Sequence, residues 1–298
     1  MLTLNLKNRP YILLTLAVLF WAGNFILGRA FHSDIPPVAL AFWRWFIASL
    51  LISGPALKHL RRDAPLLRRH WPIVLLLATV GIASFNTLAY SGLQYTQAIN
   101  AFLLQSLMPV LIVAFSFALF GEKIRPLQAI GILVSLSGAV TIIARGDLAI
   151  LAALQVNRGD LLVAAAIVCY AGYSALLRLR PAVHPLSFIA VTFWLGSLII
   201  LPLYLWETFF VRALHPHPAT FLVVGYVAVF PSIISYLCYN RGIELIGANR
   251  AGLFIHLMPV FGSLMAIGFL GETFFWYHAM GICLIAAGIF LATRTGKS

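Results

Sequence analysis

A chain with ten runs of about twenty apolar residues, and little between them, has few folds open to it. The runs fall at roughly 11–31, 37–57, 72–94, 98–120, 126–144, 159–179, 186–207, 219–241, 248–270 and 274–293. A helix crosses hydrocarbon in about 20 residues, and at that depth the backbone must satisfy its own N–H and C=O groups. The pattern therefore predicts an all-α integral membrane protein with ten transmembrane helices. Composition agrees: 62 % of the residues are hydrophobic and 9 % charged, where a soluble domain carries about 25 % charged residues. Too few charges remain to coat a globule. The first run lacks a small-residue cleavage site and continues into "FWAGNFILGRAF", which reads as a retained helix rather than a signal peptide.

The net charge of +12 would suit a nucleic-acid partner only if the cations formed a patch or basic helix. Instead they lie between the spans. With the N-terminus in the cytoplasm, fifteen Lys and Arg residues fall inside, four outside (Arg29, Arg145, Arg158 and Arg212), and Arg44 alone within a span. The basic excess marks the cytoplasmic side, so both termini are expected there and no nucleic acid is implied. Cys169, Cys238 and Cys283 sit in separate apolar runs without a CxxC pair, which argues against a disulfide framework or a zinc site. His215 and His217 in "HPHP" supply two ligands at most, so no metal is expected.

"LMPV" occurs at Leu107–Val110 and again at Leu257–Val260, each deep in an apolar run. A proline in a helix interior costs roughly 3 kcal/mol, yet the chain carries it twice at an offset of 150. At that offset Gly92 meets Gly242, Ala101 meets Ala251, Gly121–Glu122 meets Gly271–Glu272, and Gly131 and Gly138 meet Gly281 and Gly288. With a slip of one residue, Trp21–Phe25 meets Tyr170–Ser174 and Tyr90 meets Tyr239. The reading is two five-helix halves, 1–145 and 146–298. An odd number of spans per half inverts the second copy. Inverted halves rocking about a central cavity near the midplane are the architecture of secondary transporters. Pro109 and Pro259 are then paired hinges that free the carbonyls of Gln105 and Ile255, or simple packing kinks.

Ten spans, the duplication, "LFWAGNF" in the first span, "PPVALAFWR" opening the second and "FGEKIRPLQAIGILVSLSGAV" closing the first half resemble the EamA-type branch of the drug/metabolite transporter superfamily. Within it the chain is most similar to the YddG-type aromatic amino acid exporters. The likeness spans nearly the whole chain, and its motifs are specific for the superfamily but weak for substrate. It implies a carrier in the bacterial cytoplasmic (inner) membrane that exports small metabolites by alternating access, without a cofactor or ATP. Aromatic amino acids, and with them aromatic cationic drugs, are the implied cargo; a non-aromatic amino acid or a thiol compound is the alternative.

Polar and aromatic groups deep in spans are the candidate substrate-binding residues, since they are costly in lipid and face the interior. They are Trp21 and Asn24 with Tyr170 and Tyr173, Asn86 and Tyr90 with Ser235 and Tyr239, and Gln105 with His256. The pairs four residues apart share a helical face. Arg44, about two turns into its span, either binds a substrate carboxylate or pairs with carbonyls. Trp and Tyr at span ends (Tyr11, Trp71, Trp206, Trp276, Tyr277) read as interfacial anchors.

All eight acidic residues fall in loops or at span ends, which leaves no mid-membrane carboxylate as a proton relay. No GxxxxGK[ST] loop is present for an ATP-driven pump. An intramembrane enzyme is a remote alternative, resting only on the loose His256–Ser263 neighbourhood. Gly131, Ser135, Gly138 and Ala139 form a small-residue face suited to close helix contact, within the bundle or in a dimer; monomer and homodimer both stay open.

Overall fold

The computed structural model describes residues 6–215, 217–270 and 273–294. Ten helical segments form the bundle: α1 (Pro10–Ala30), α2 (Pro37–Arg69), α3 (Trp71–Leu93), α4 (Ala98–Gln105 continued by Met108–Phe120), α5 (Pro126–Ile143), α6 (Arg158–Leu179), α7 (Pro185–Phe210), α8 (Pro218–Ile246), α9 (Ala248–Gly252, a 3-10 turn Leu253–His256, then Leu257–Leu270) and α10 (Trp276–Thr293). Among the described residues, nine of them are long and apolar enough to cross a membrane. The remaining one, α9, is helical in three consecutive pieces. The fold is the all-helical, two-part membrane bundle that the apolar runs predict.

Helix starts follow local chemistry. α1, α2, α3, α5, α7 and α8 each open with proline at the first or second position, where its missing N–H is no loss. α6 opens instead with a capping box: Asn157 Oδ1 accepts from the amides of Gly159 and Asp160, and Asp160 accepts from the Asn157 amide. After α4, Gly121 stands at φ 66°, the left-handed C-terminal cap that glycine adopts without strain.

One boundary differs from the sequence reading. The second span was expected to end near residue 57, but α2 runs unbroken through Pro55, Pro65 and five basic residues to Arg69. At 1.5 Å per residue its 33 residues span about 50 Å, against a hydrocarbon core of about 30 Å. Tertiary contacts override the polar sequence: Leu67 is buried, Leu60 packs on the core, and Asp63 Oδ2 accepts from the His184 amide at 2.9 Å. That last bond caps the start of α7. The favour is returned at the far end, where Glu207 on α7 accepts from the amides of Val38 (3.1 Å) and Ala39 (2.7 Å) at the start of α2. Each helix of this antiparallel pair thus supplies a carboxylate to the other's unpaired amides and positive dipole end. Beside Asp63 the rings of His59 and His184 stack at 3.6 Å, and burial together with the His59 ring lowers the His184 pKa below the ordinary histidine value.

Contacts between α5 and α10 carry the repeat symmetry. A Cβ placed on Gly131 would lie 2.6 Å from the Gly288 carbonyl oxygen, and one on Gly138 would lie 2.7 Å from that of Gly281. Gly131 corresponds to Gly281 and Gly138 to Gly288, so the two contacts exchange under one twofold operation. The small-residue face of α5 is therefore spent inside the bundle, against α10. The Gly121–Glu122 counterpart, Gly271–Glu272, lies outside the described residues.

A feature absent from the sequence reading repeats with the same offset. α3 and α8 each contain one π-helical stretch, at Thr79–Ser84 and Val229–Ile234. Widened turns of this kind free backbone carbonyls and concentrate at functional sites.

Gly131→Val and Gly288→Val should each force α5 and α10 apart, because backbone rather than a flexible side chain blocks the new methyls. Overpacking of this kind costs about 1–3 kcal/mol. Thermal unfolding in detergent should show both variants destabilised, while Gly172→Ala, which meets nothing within 4 Å, unfolds as the parent does. Equal midpoints for all three would contradict the close helix contact.

Candidate functional site

Arg44 on α2 is 1 % exposed. Its guanidinium donates to five oxygen contacts: Nε to Ser232 Oγ at 2.6 Å, Nη1 to Asn24 Oδ1 at 3.0 Å, Asn86 Oδ1 at 2.7 Å and Tyr90 Oη at 2.8 Å, and Nη2 to the Pro231 carbonyl at 3.0 Å. Tyr90 Oη in turn donates to Asn24 Oδ1 at 2.5 Å. Every partner is neutral. Inserting an arginine at mid-membrane costs about 2.5–3.5 kcal/mol on insertion scales, so this shell of dipoles is what makes the position tenable. The shell depends on the π-turn of α8, whose Pro231 carbonyl also accepts from Trp21 Nε1 at 3.0 Å. The matching carbonyl in the π-turn of α3, Gly81, accepts from Tyr236 Oη at 2.6 Å.

Aromatic rings close around this centre. Trp21 meets Tyr239 at 4.9 Å and Tyr170 at 5.5 Å between centroids, both edge-on, and Tyr170 meets Phe85 at 4.6 Å and Tyr173 at 5.3 Å. Arg44 also lies 4.6 Å from the Trp45 ring centroid, a cation–π contact. The cavity at the centre is lined by Trp21, Asn24, Arg44, Asn86, Gln105 and Tyr170, with Phe25, Phe85, Met108, Ile255 and Met258 completing the wall. Its free volume is about 10 Å³, room for roughly one water molecule. An amino acid does not fit, so loading the cavity requires its walls to separate. Asn86 Nδ2 and Tyr170 Oη have no partner at good hydrogen-bonding geometry; the Tyr236 hydroxyl beside both gives its proton to the Gly81 carbonyl and turns only its lone pairs toward them.

Six of the sequence candidates therefore meet at one cavity, and Tyr90 reaches it through Arg44. The rest stand apart. Tyr173 donates to Asn240 Oδ1 at 2.9 Å and Tyr239 pairs with Ser174 at 3.2 Å, forming an outer aromatic ring. Ser235 donates to the carbonyls of Ala17 and Phe230. His256 is fully buried between the halves: Nε2 donates to the Ser106 carbonyl at 2.9 Å, and Nδ1 faces Ser135 Oγ at 2.7 Å. Ser106 and His256 are equivalent positions of the repeat, so this bond crosses the pseudo-twofold axis.

The prolines sit differently from the expectation that they interrupt a continuous helix. α4 breaks at Ser106–Leu107, and Pro109 occupies the first turn of the segment beginning at Met108. In α9 a 3-10 turn, Leu253–His256, precedes the segment that holds Pro259. The carbonyl with a side-chain partner is that of Ser106, not Gln105. Of the missed residues, Pro231 and Ser232 were detectable, since "FPSII" places a further proline deep in a span, opposite Gly81 in the repeat. Phe25, Phe85, Met108, Ile255 and Met258 carried no signal that separates them from core.

The two ends of the bundle differ. Around the end of α6 a vestibule of about 810 Å³ is lined by Glu122, Arg178, Arg180, Asn240 and Glu244 among others. Two ion pairs cross it, Arg178–Glu122 at 3.3 Å and Arg180–Glu244 at 2.7 Å, and Arg241 holds Glu244 along the same helix at 3.0 Å. At the start of α6 the bundle is shut. A Cβ on Gly92 would lie 2.7 Å from the Gly159 oxygen, Asp160 accepts from Thr96 and Asn100, and Arg29 donates to the Leu93 carbonyl.

Two repeated sets of five helices around an occluded cavity, with discontinuous and widened helices at its wall, are an architecture that membrane carriers use. The chain belongs to the EamA-like transporter family, whose model matches residues 8–144 and again 157–294. It is thus a multi-pass membrane transporter. Similar proteins include the uncharacterized transporter YyaM of Bacillus subtilis, 26 % identical over 95 % of this chain and 93 % of that one. An uncharacterized transporter of Archaeoglobus fulgidus is 25 % identical over 97 % and 98 % of the two chains. A probable terminal-alkyne amino-acid exporter of Streptantibioticus cattleyicolor is 26 % identical over 94 % and 92 %. One solved crystal structure superposes with a TM-score of 0.79 over 96 % of both chains at 22 % identity, a likeness of fold alone.

Arg44→Met should take a donor from five buried oxygens at once, Asn86 Oδ1 among them, and a buried acceptor left unpaired costs about 1–3 kcal/mol. Its thermal midpoint in detergent should fall well below that of Ser232→Ala, which removes a single partner. Similar midpoints for the two variants would show that the shell is not organised by the guanidinium.

Proposed function

We propose that the protein exports small amphipathic carboxylates, chiefly aromatic amino acids, across the bacterial cytoplasmic membrane by alternating access between its two halves. The observation that carries this reading is Arg44: a buried cation held only by neutral dipoles, at the edge of a cavity walled by Trp21, Phe25, Phe85 and Tyr170. An arriving carboxylate supplies the counter-charge in the bidentate geometry that a guanidinium favours. Asn86 Nδ2 and Tyr170 Oη offer further donors, and the rings take the apolar end. Trp21, Asn24, Arg44, Asn86, Tyr90, Gln105 and Tyr170 are the proposed binding residues, with Tyr173 and Tyr239 as a ring between vestibule and cavity. The break before Pro109 and the 3-10 turn before Pro259 are the proposed hinges, and His256 pins them across the axis.

The relative named a probable terminal-alkyne amino-acid exporter favours a second reading, in which the amino acid head group is shared and the side chain is not aromatic. Cargo competition separates the two. In proteoliposome counterflow, phenylalanine should outcompete phenylalaninamide, because a charge-assisted bond contributes about 1.5–3 kcal/mol, roughly ten- to a hundredfold in affinity. Arg44→Gln should remove that preference. Trp21→Ala should weaken phenylalanine by about three- to tenfold while leaving a small aliphatic amino acid little changed. Equal competition by acid and amide in the parent protein would overturn the carboxylate reading; indifference of phenylalanine to Trp21→Ala would overturn the aromatic one.

Coupling follows from the same cavity. Among the described residues no carboxylate lines it, so the proposed cycle uses no acidic proton relay. Counterflow is expected to persist when a protonophore collapses the pH gradient, and its complete arrest with the substrate gradient intact would contradict a facilitated cycle. The membrane orientation is tested separately. A single cysteine at Lys58 should react with an impermeant maleimide only from the cytoplasmic side, and one at His215 only from the outside.

A further inference from the structure

The surplus length of α2 builds a second site away from the cavity. Its last turns, the start of α3 and the flank of α7 enclose a groove of about 420 Å³, walled by Leu60, Ala64, Leu67, Val74, Val191 and Leu195 among others. That volume is within the range of about 300–1,000 Å³ typical of small-molecule sites. The walls are apolar, and among the described residues Arg68 alone brings charge to the lining. Trp71, 61 % exposed, stands at the same edge, as an aromatic anchor does at headgroup depth. The extension carries Lys58, Arg61, Arg62, Arg68 and Arg69 against one carboxylate, Asp63, a surplus of four positive charges (5 − 1). Asp63 is already engaged with the His184 amide, so it leaves Arg68 and Arg69 unneutralised. An apolar slot with the exposed Arg68 in its lining, and the exposed Arg69 next to it in sequence, matches one kind of occupant in chemistry and polarity order.

We propose that this groove is a binding site for an anionic glycerophospholipid, with an acyl chain between α2, α3 and α7 and the headgroup phosphate on Arg68 and Arg69. Basic pockets between membrane helices select anionic headgroups by this combination of charge and apolar contact. The site is independent of the transport cavity and of the cargo it carries. Because α2 also bears Arg44, the lipid clamps the cytoplasmic end of the helix on which the central cation rides.

Native mass spectrometry of the detergent-purified protein, supplied with phosphatidylglycerol or phosphatidylcholine of the same chain length, tests the site. The parent should retain phosphatidylglycerol at least tenfold better than phosphatidylcholine and gain thermal stability from it alone. Arg68→Gln with Arg69→Gln should abolish that preference, whereas the paired change Arg61→Gln with Arg62→Gln, off the groove, should keep it. Ala64→Phe fills the slot with every charge intact and should also expel the lipid; Val191→Trp does so from the α7 side if the first variant folds poorly. Loss of retention in the Arg61/Arg62 variant equal to that in the Arg68/Arg69 variant would reduce the effect to diffuse attraction and overturn the site. Retention surviving both groove-filling changes would do the same, as would a shift from dimer to monomer mass on filling the groove, which would mean that a second copy covers it.

Discussion

A cation in the interior of a membrane-spanning bundle must find its solvation shell in the protein, and the inner arrangement of four helices follows from how Arg44 finds one. Asn24 comes from α1, Asn86 and Tyr90 from α3, and Ser232 and the Pro231 carbonyl from α8. The Pro231 carbonyl could not serve if α8 were a regular helix, because a regular helix keeps its carbonyls for itself. The widened turn at Val229–Ile234 is therefore a condition for burying the arginine. In the same way, the cluster of rings around Trp21 depends on Trp21 Nε1 having the same carbonyl to bind.

Outside that centre, the bundle is held by backbone approach and by exchange of caps. The glycine contacts of α5 with α10 bring two helices close where lipid gives no hydrophobic drive for association. The carboxylates of Asp63 and Glu207 fix both ends of the α2–α7 pair. The glycine contacts obey the repeat symmetry, the carboxylate caps are reciprocal without being equivalent positions, and both leave the middle of the bundle to polar groups. This division suits a carrier of the proposed kind, with stiff outer pairs around an inner set of broken and widened helices.

Much of this was legible in the sequence because hydrophobic run length and proline or glycine punctuation act locally. The span limits fall within a few residues of the helices, apart from α2, where burial of Leu67 and the Asp63 cap act across the structure and leave no mark in the local pattern. Arg44, Asn24, Asn86 and Tyr90 were legible as polar groups at unfavourable depth, and they do converge. Ser235 and Tyr239 share the predicted helical face yet do not reach the cavity, because Ser235 is taken up by backbone carbonyls. Spacing can place a side chain on a face, but it cannot say which neighbour claims its hydrogen bond. The apolar lining was illegible for a related reason: Met108 or Ile255 against a cavity and against a core are the same residue in the same pattern.

The bond between His256 and the Ser106 carbonyl joins two positions that the repeat makes equivalent but the chemistry does not. Were the halves to trade places, Ser106 would have to do for the other strand of the axis what an imidazole does now, with Ile285 standing where Ser135 stands. A hydroxyl is too short for that reach, and an isoleucine offers no hydrogen bond. The mirror arrangement therefore lacks a bond that this one has, and the two faces of the proposed rocking cycle begin at unequal energies. Such a machine has a resting posture. In the proposed facilitated cycle, net direction still comes only from the concentration difference, but the posture decides at which membrane face the protein waits and how steeply it answers to cargo arriving there.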